Sequence, residues 1–381
     1  MDSMGDGSTA AGHDHAGHNH SAHDHASHDD GMGGMDMGKY MSGVERLPGG
    51  GYHYSHGAFT GHVVPGAFFL AWGFWWTVTT FATYVQCLAA RRGFRARAWR
   101  PLPWGPRRLR SLPLEPFVKI VLPACGILGE LWLGHESWRD LYAPDGKFYT
   151  DNLNDWQHSS MYLSFMASGV VDLLGHYLGA PRGAELAFLA LSFMSEGLLL
   201  VFHLKGPRVE VMVHLILVVQ VFATVVAILV ELAAASSILA ASARPWLTML
   251  QGAWWIQTAY IMYKNAPQWD PDYMGSGMMV PVPFVLWSLG IAFFMFCLLL
   301  AFKAVAERRI GRPLSFGSGE DDAALHPQHQ LLPGADDDEH AGTNGYGHHN
   351  GYASGGVHSG RDRDLELSGL VLKTYAADHA A

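Results

Sequence analysis

Seven apolar stretches dominate the chain between Val63 and Val305, at 63–90, 117–134, 158–179, 184–203, 211–235, 246–264 and 283–305. A helix needs about 20 mainly apolar residues to cross a bilayer, and in lipid every backbone polar group must find its partner inside the segment. The pattern predicts an all-α, polytopic membrane protein with seven transmembrane helices. Gly, Ser and Pro interrupt several stretches, which suits a bundle where small residues let helices approach closely. Outside the stretches the composition changes sharply. Residues 1–60 form a polar, His- and Met-rich tail, 61–310 the helical domain, and 311–381 a second Gly-, Asp- and His-rich tail. Both tails are expected to be disordered, having too few apolar residues to offset the entropy of ordering. With sixty polar residues first, no cleavable signal is expected, so the first span must direct insertion. Cys87, Cys125 and Cys297 each fall in or beside an apolar stretch, which argues against a disulfide framework and a Cys-based zinc motif. The net charge of −9 comes largely from the tails, and no nucleic-acid partner is expected.

Orientation follows from the basic residues. The loop after the first stretch carries Arg91, Arg92, Arg95, Arg97, Arg100, Arg107, Arg108 and Arg110, and further bases follow the third, fifth and seventh at Arg182, Arg244, Lys303, Arg308, Arg309 and Arg312. The opposite loops hold Asp140, Asp145, Asp151, Asp155, Asp270 and Asp272. The positive-inside rule then puts the N-terminus outside and the C-terminus in the cytosol.

Ionisable groups in hydrocarbon are costly, about 2.5–3.5 kcal/mol near the centre on insertion scales, so they pair, face a wet cavity or bind something. Here they gather at the outer leaflet. His62 opens the first span, Glu130, His135 and Glu136 close the second, His158 opens the third, His203 ends the fourth, and Glu210 and His214 begin the fifth. Glu196 lies seven residues before His203, about 10 Å deeper on nearly the same helix face. Glu210 and His214 share a face at i, i+4. His203, His214, Glu196, His158, Glu210, Glu130 and His62 are therefore candidate ligands of a metal ion or carriers of a proton, since ligating imidazoles commonly donate their second nitrogen to a carboxylate. The alternative is that these groups neutralise one another and lock helix ends. Asp172 and His176 lie towards the inner end of the third span and read as a hydrogen-bonded pair or part of an ion path. Glu231 reads as snorkelling to the interface. Trp72, Trp75 and Trp76, with Trp254 and Trp255, read as packing or interface anchors.

The N-terminal tail repeats a five-residue unit that places His13, His15, His18, His20, His23, His25 and His28 on unfolded chain, followed by Met32, Met35 and Met37. Imidazole suits Cu(II) and zinc and thioethers select Cu(I), so copper or zinc are the candidate ions. A flexible tail should bind them with modest affinity. The segment resembles the extracellular tails of high-affinity copper transporters, although no span carries the paired-Met pore signature of those proteins. Asn19 begins a glycosylation sequon.

Gly61-His62-Val63-Val64-Pro65-Gly66-Ala67-Phe68-Phe69-Leu70 with Gly73-Phe74-Trp75-Trp76 resembles the opening signature of the transmembrane protein 45 family. The likeness continues through Trp156–Leu163, Ser168–Asp172, Glu196-Gly197 with His203, and Leu250–Gln257. It spans roughly residues 60–305. The resemblance implies a seven-helix protein of the plasma membrane, Golgi or endolysosomal membranes, and implies no reaction. Where that family tends to read acid-x-His-x-His, this chain has Glu210-Val211-Met212-Val213-His214, so Met212 stands in place of an imidazole.

Three functions compete on these grounds: a protein that binds or moves a transition metal, a non-enzymatic scaffold or trafficking protein with structural ion pairs, and an intramembrane metal-dependent hydrolase. Enzymatic activity is the weaker expectation, as no HExxH-type motif is present. A transporter requires Gln220, Gln251, Gln257, Asp172 and His176 to face one channel. A hydrolase requires three ligands to converge within about 2.0–2.2 Å of one ion. A scaffold requires neither. Protein partners and the oligomeric state are left open.

Overall fold

The computed structural model describes residues 44–316, apart from 48–50, 55–56, 104–105, 107, 109–111, 134–139, 265 and 272. The repeat histidines, Met32, Met35, Met37, Asn19, His135, Glu136 and the C-terminal tail from 317 lie outside the described residues.

A two-stranded hairpin comes first, β1 (Val44–Leu47) antiparallel to β2 (Gly51–Tyr54), with Val44 opposite Tyr54 and Leu47 opposite Gly51. The helices follow: α1 (Phe59–Ala89), α2 (Leu114–Trp132), α3 (Leu153–Leu178), α4 (Ala184–Val201), α5 (Arg208–Ala233), α6 (Ile238–Tyr263), the short α7 (Met274–Met279) and α8 (Pro281–Ile310). The fold is thus mostly helical, and the hairpin is an ordered element within what the sequence suggests is a tail. By length and composition three segments are apolar enough to cross a membrane: α4, α5, and the α7–α8 stretch Met274–Ile310. The other long helices are diluted by polar residues such as Lys119, Asp172, Gln251 and Arg244.

Neighbouring helices pack in the order α2, α3, α4, α5, α6, α1, with α8 outside against α6 and α1. The tightest approach is α1 against α6, and glycine makes it possible. A Cβ at Gly252 would lie 2.3 Å from the backbone nitrogen of Leu70 and 2.5 Å from the carbonyl of Gly66, while one at Gly66 would lie 2.9 Å from the Gly252 carbonyl. No side chain fits between these backbones, which is the small-residue contact that membrane helices use where hydrophobicity cannot drive association. Gly252→Leu should force the helices apart at an overpacking cost of about 1–3 kcal/mol or more, read as a lower unfolding midpoint in detergent; an unchanged midpoint would contradict the contact. The core beneath is aromatic, with Phe69, Trp72, Trp76, Phe165 and Phe193 in ring contact.

The end of the bundle that carries the 91–113 loop (the basic end) buries ion pairs that the spacing along the chain did not reveal. Asp172 does not pair with His176. Its Oδ2 accepts from Lys119 Nζ at 2.5 Å, and Lys119 also donates to Ser168 Oγ at 2.7 Å. His176 instead packs on Trp99, with ring centroids 5.4 Å apart. An i, i+4 pair on one helix gave way because Lys119 on α2 brings a full opposite charge. Glu231 does not snorkel. It is 1% exposed and takes Arg244 in a two-pronged pair at 2.6 and 3.1 Å. Arg244 can reach it because α6 begins at Ile238 rather than at 246, which turns a presumed loop arginine into a buried helical one. Glu115 accepts hydrogen bonds from the indole nitrogens of Trp72, Trp75 and Trp76 at 3.3, 3.2 and 2.5 Å. Those tryptophans therefore bind a buried carboxylate as well as packing.

Candidate functional site at the hairpin end

Four helix segments each bring one imidazole to the opposite end of the bundle. His62 sits in the first turn of α1, His158 in the second turn of α3, His203 just past α4, and His214 in the second turn of α5. The rings form a row: His158 to His203 at 6.1 Å between centroids, His203 to His214 at 6.3 Å, and His214 to His62 at 5.7 Å. Trp255 and Tyr263 of α6 close the far end, each 5.2 Å from His62.

The ring nitrogens are not equivalent. In every one of the four, Nδ1 already faces an oxygen: Ala58 carbonyl for His62 at 3.1 Å, Glu130 Oε1 for His158 at 3.3 Å, Gln157 Oε1 for His203 at 3.4 Å, and Glu210 carbonyl for His214 at 2.8 Å. A backbone carbonyl can only accept, so His62 and His214 carry their proton on Nδ1 when neutral, and Nε2 is left as the bare lone pair. His62 Nε2 is buried and has no partner among the described residues.

The carboxylates surround this row at three depths. Glu130 meets His158. Glu210 begins α5, folded back under the α4–α5 turn, where Gly206 holds φ +91 and a Cβ would stand 2.1 Å from Glu210 Oε2. Only glycine serves there, since the left-handed backbone and the lack of a side chain are both required. Glu196 lies deeper on α4, fully buried. Its Oε1 accepts from Gln251 Nε2 at 2.7 Å, and its Oε2 has no partner. Trp255 Nε1, Gln251 Oε1 and Tyr54 Oη are likewise buried and unpartnered at this end of the bundle. Such atoms are uncommon in a folded protein and call for an explanation.

The hairpin covers this end. Its alternation turns Tyr52 and Tyr54 inward and leaves His53 exposed. The Tyr52 hydroxyl donates to the Ala266 carbonyl, and Tyr54 packs on Tyr263 at 6.1 Å. Burial, and then the neighbouring Glu210 charge, push the Tyr54 phenol above its ordinary range, so it remains an O–H donor at any physiological pH.

The geometry therefore gathers His62, His158, His203 and His214, with Glu130 on His158, Glu210 at the rim and Glu196 beneath. It sends Asp172 and His176 to the other end. Met212 packs against Gly277 and the core. Gln157, Tyr54 and Tyr263 were not among the candidates of the sequence reading, and Trp255 was read there only as a packing or interface anchor. Gln157 adjoins His158 in the Trp156–Leu163 motif, and that adjacency was the available signal. Among the described residues, no group of three or more His, Cys, Asp or Glu side chains converges on one point where an ion could sit.

Three helical segments long and apolar enough to cross a membrane give the fold the character of a helical integral membrane protein. Comparison with known proteins agrees with that class. Residues 182–300 match the model of a family of unknown function (DUF716). The chain is 25% identical over 250 residues to transmembrane epididymal protein 1A of Mus musculus, covering 62% of this chain and 77% of that protein. It is 24% identical over 250 residues to transmembrane epididymal protein 1 of Rattus norvegicus, with the same shares. The Homo sapiens protein of that name is 28% identical over 142 residues, 36% of this chain and 52% of the relative. These matches correct the resemblance to the transmembrane protein 45 family: the family model and the relatives bear other names. The quoted motifs are rich in Gly, Trp and His at helix contacts such as Gly66–Gly252, and packing demands of that kind do not separate one family from another.

Proposed function

We propose that the chain is a seven-span membrane protein, N-terminus outside, that binds a zinc or copper ion at its outer leaflet through the Nε2 atoms of His62, His203 and His214, with His158 as a further donor. The observation that carries this reading is the shared engagement of Nδ1 by an oxygen in all four rings. That is the arrangement in which outer partners orient metal-ligating imidazoles and fix their tautomer, and it leaves four soft-to-borderline nitrogen donors of the kind zinc and copper accept. With a Zn–N bond of about 2.0–2.1 Å and a ring radius of about 1.2 Å, tetrahedral ligation sets ring centroids about 5.2 Å apart. The spacings of 5.7 and 6.3 Å on either side of His214 are longer than that, so ion binding would require the rings of the row to draw together. Glu130, Glu196 and Glu210 are the carboxyl groups whose ionisation would offset the charge of a bound divalent cation in a low-dielectric setting.

Binding is favoured over passage across the bilayer. Gln220 donates to the Leu247 carbonyl, Gln251 to Glu196, and Gln257 accepts from Trp287 on α8, so these amides serve separate partners and line no shared path. The arginine-rich 91–113 segment falls at the far end, which supports the outside placement of the imidazole row. The histidine repeat and Met32, Met35 and Met37 would lie on the same side as the site and could collect ions for it.

The test separates core from tail. Full-length protein with His13, His15, His18, His20, His23, His25 and His28 replaced by Ala is purified in detergent, and bound zinc and copper are counted by mass spectrometry. About one equivalent should remain, fall at least tenfold with His203→Ala or His214→Ala, and be unaffected by His176→Ala. A folded protein without metal would overturn the reading and leave the scaffold function in its place.

A further inference from the structure

The basic end holds a second candidate site, independent of the metal reading. A cavity of about 360 Å³ opens between α1, the start of α2 and the residues Arg100, Pro101, Leu102 and Leu112. Its volume falls in the range of about 300–1,000 Å³ usual for small-molecule sites. One stripe of α1 lines it, with Phe68, Ala71, Trp72 and Trp75 at i, i+3, i+4 and i+7. Val118 of α2 adds to that apolar wall.

Three charged residues also line the cavity, and they differ in how far they are satisfied. Glu115 has both oxygens occupied by indole donors, and Lys119 is held by Asp172 and Ser168. Arg100 is not so provided. It is 9% exposed; its Nη2 donates to the Arg95 carbonyl at 2.7 Å, and its guanidinium lies 5.2 Å from the Phe94 ring centre. Its Nε is buried without a partner, and among the described residues no carboxylate is within ion-pair distance. A buried guanidinium left that way is costly unless an anion meets it. The chain around it repeats the sign of the charge, for residues 91–114 contain eight arginines and no Asp or Glu. Basic segments beside a membrane helix attract the anionic lipids of the cytosolic leaflet.

The geometry points to a binding site for an anionic amphiphile, with its phosphate or carboxylate head on Arg100 and one alkyl chain in the cavity along Trp72 and Trp75. An apolar groove alone would take any lipid. Arg100, which lines the cavity and keeps a buried Nε without a partner, would select the charged head, because a fork of N–H donors matches phosphate or carboxylate oxygens.

The test is native mass spectrometry of the full-length protein in mild detergent, titrated separately with phosphatidylserine, phosphatidylcholine and oleate. One equivalent of phosphatidylserine or oleate should bind at least tenfold tighter than phosphatidylcholine, and whichever binds tighter identifies the source of the head group. Arg100→Gln should weaken that binding about tenfold, Arg100→Lys should retain part of it, and Arg309→Gln, at the end of α8, should leave it unchanged. Ala71→Phe should weaken it at least fivefold by filling the cavity. Leu102→Trp fills it from the loop side, so the measurement survives if the α1 variant fails to fold. Equal binding of phosphatidylcholine, or an Arg100→Gln protein that binds like the parent, would overturn the proposal.

Discussion

Lys119→Met should destabilise the protein by about 3–5 kcal/mol, because it removes one member of a buried ion pair and leaves Asp172 charged and alone. Lys119 is 2% and Asp172 0% exposed, and Ser168 is the other acceptor of the ammonium. Asp172→Leu alone should cost a similar amount. The double variant Lys119→Met with Asp172→Leu should regain most of the loss, since an apolar pair of matching volume avoids both desolvation costs. Chemical or thermal unfolding of the four proteins in detergent gives the coupling energy directly. If the double variant were as unstable as the sum of the singles, the two residues would not act as a pair. Asp172→Asn adds a sharper comparison: it preserves shape and hydrogen bonding but not charge, and should fall between parent and Asp172→Leu.

Glu115→Ala is expected to be nearly as damaging. It strips the acceptor from three indole N–H groups at once, and each buried donor left unpaired costs about 1–3 kcal/mol. It also removes a second acidic side chain near Lys119, beyond its partner Asp172. Glu115→Gln should be milder, because its amide oxygen can still accept from Trp72 and Trp76 while its NH2 group faces the donor of Trp75. The expected order of unfolding midpoints is parent, then Gln, then Ala, and a glutamine protein as unstable as the alanine one would mean that charge, not hydrogen bonding, holds the tryptophans. Arg244 is part of the same region, 4.0 Å from the Trp76 ring, so the tryptophan cluster and the Glu231–Arg244 pair are expected to couple in such cycles.

What could be read from the chain was decided by composition and local spacing. Apolar stretches mark helices wherever packing is uniform, and α4, α5 and α8 lie close to their expected positions. The boundaries slipped where polar residues sit inside helices. α6 starts at Ile238 because Ser237 caps it, its Oγ accepting from the Ala240 amide, a signal weaker in hydropathy than in capping chemistry. The hairpin was missed for the opposite reason: Val44–Tyr54 is too short and too polar to stand out, and its order comes from Tyr52 and Tyr54 docking on the helix ends.

The candidate site divides along the same line. That His62, His158, His203 and His214 belong to one end of the bundle follows from where they fall on their helices and from short loops such as 202–207. Which nitrogen of each ring is free does not follow from the sequence, since it depends on carbonyls and amides that only the fold brings near. Asp172 shows the limit clearly. Sequence spacing offers His176 as its partner, four residues away, whereas the folded chain offers Lys119, fifty-three residues away. Hydrophobic length and the sign of the loop charges act within a segment, and they determined a helical membrane protein with a basic end. Pairing between charges is a through-space interaction that strengthens as the dielectric falls, and so the partners of the buried groups, the row of imidazoles and the cavity at Arg100 were decided by tertiary structure alone.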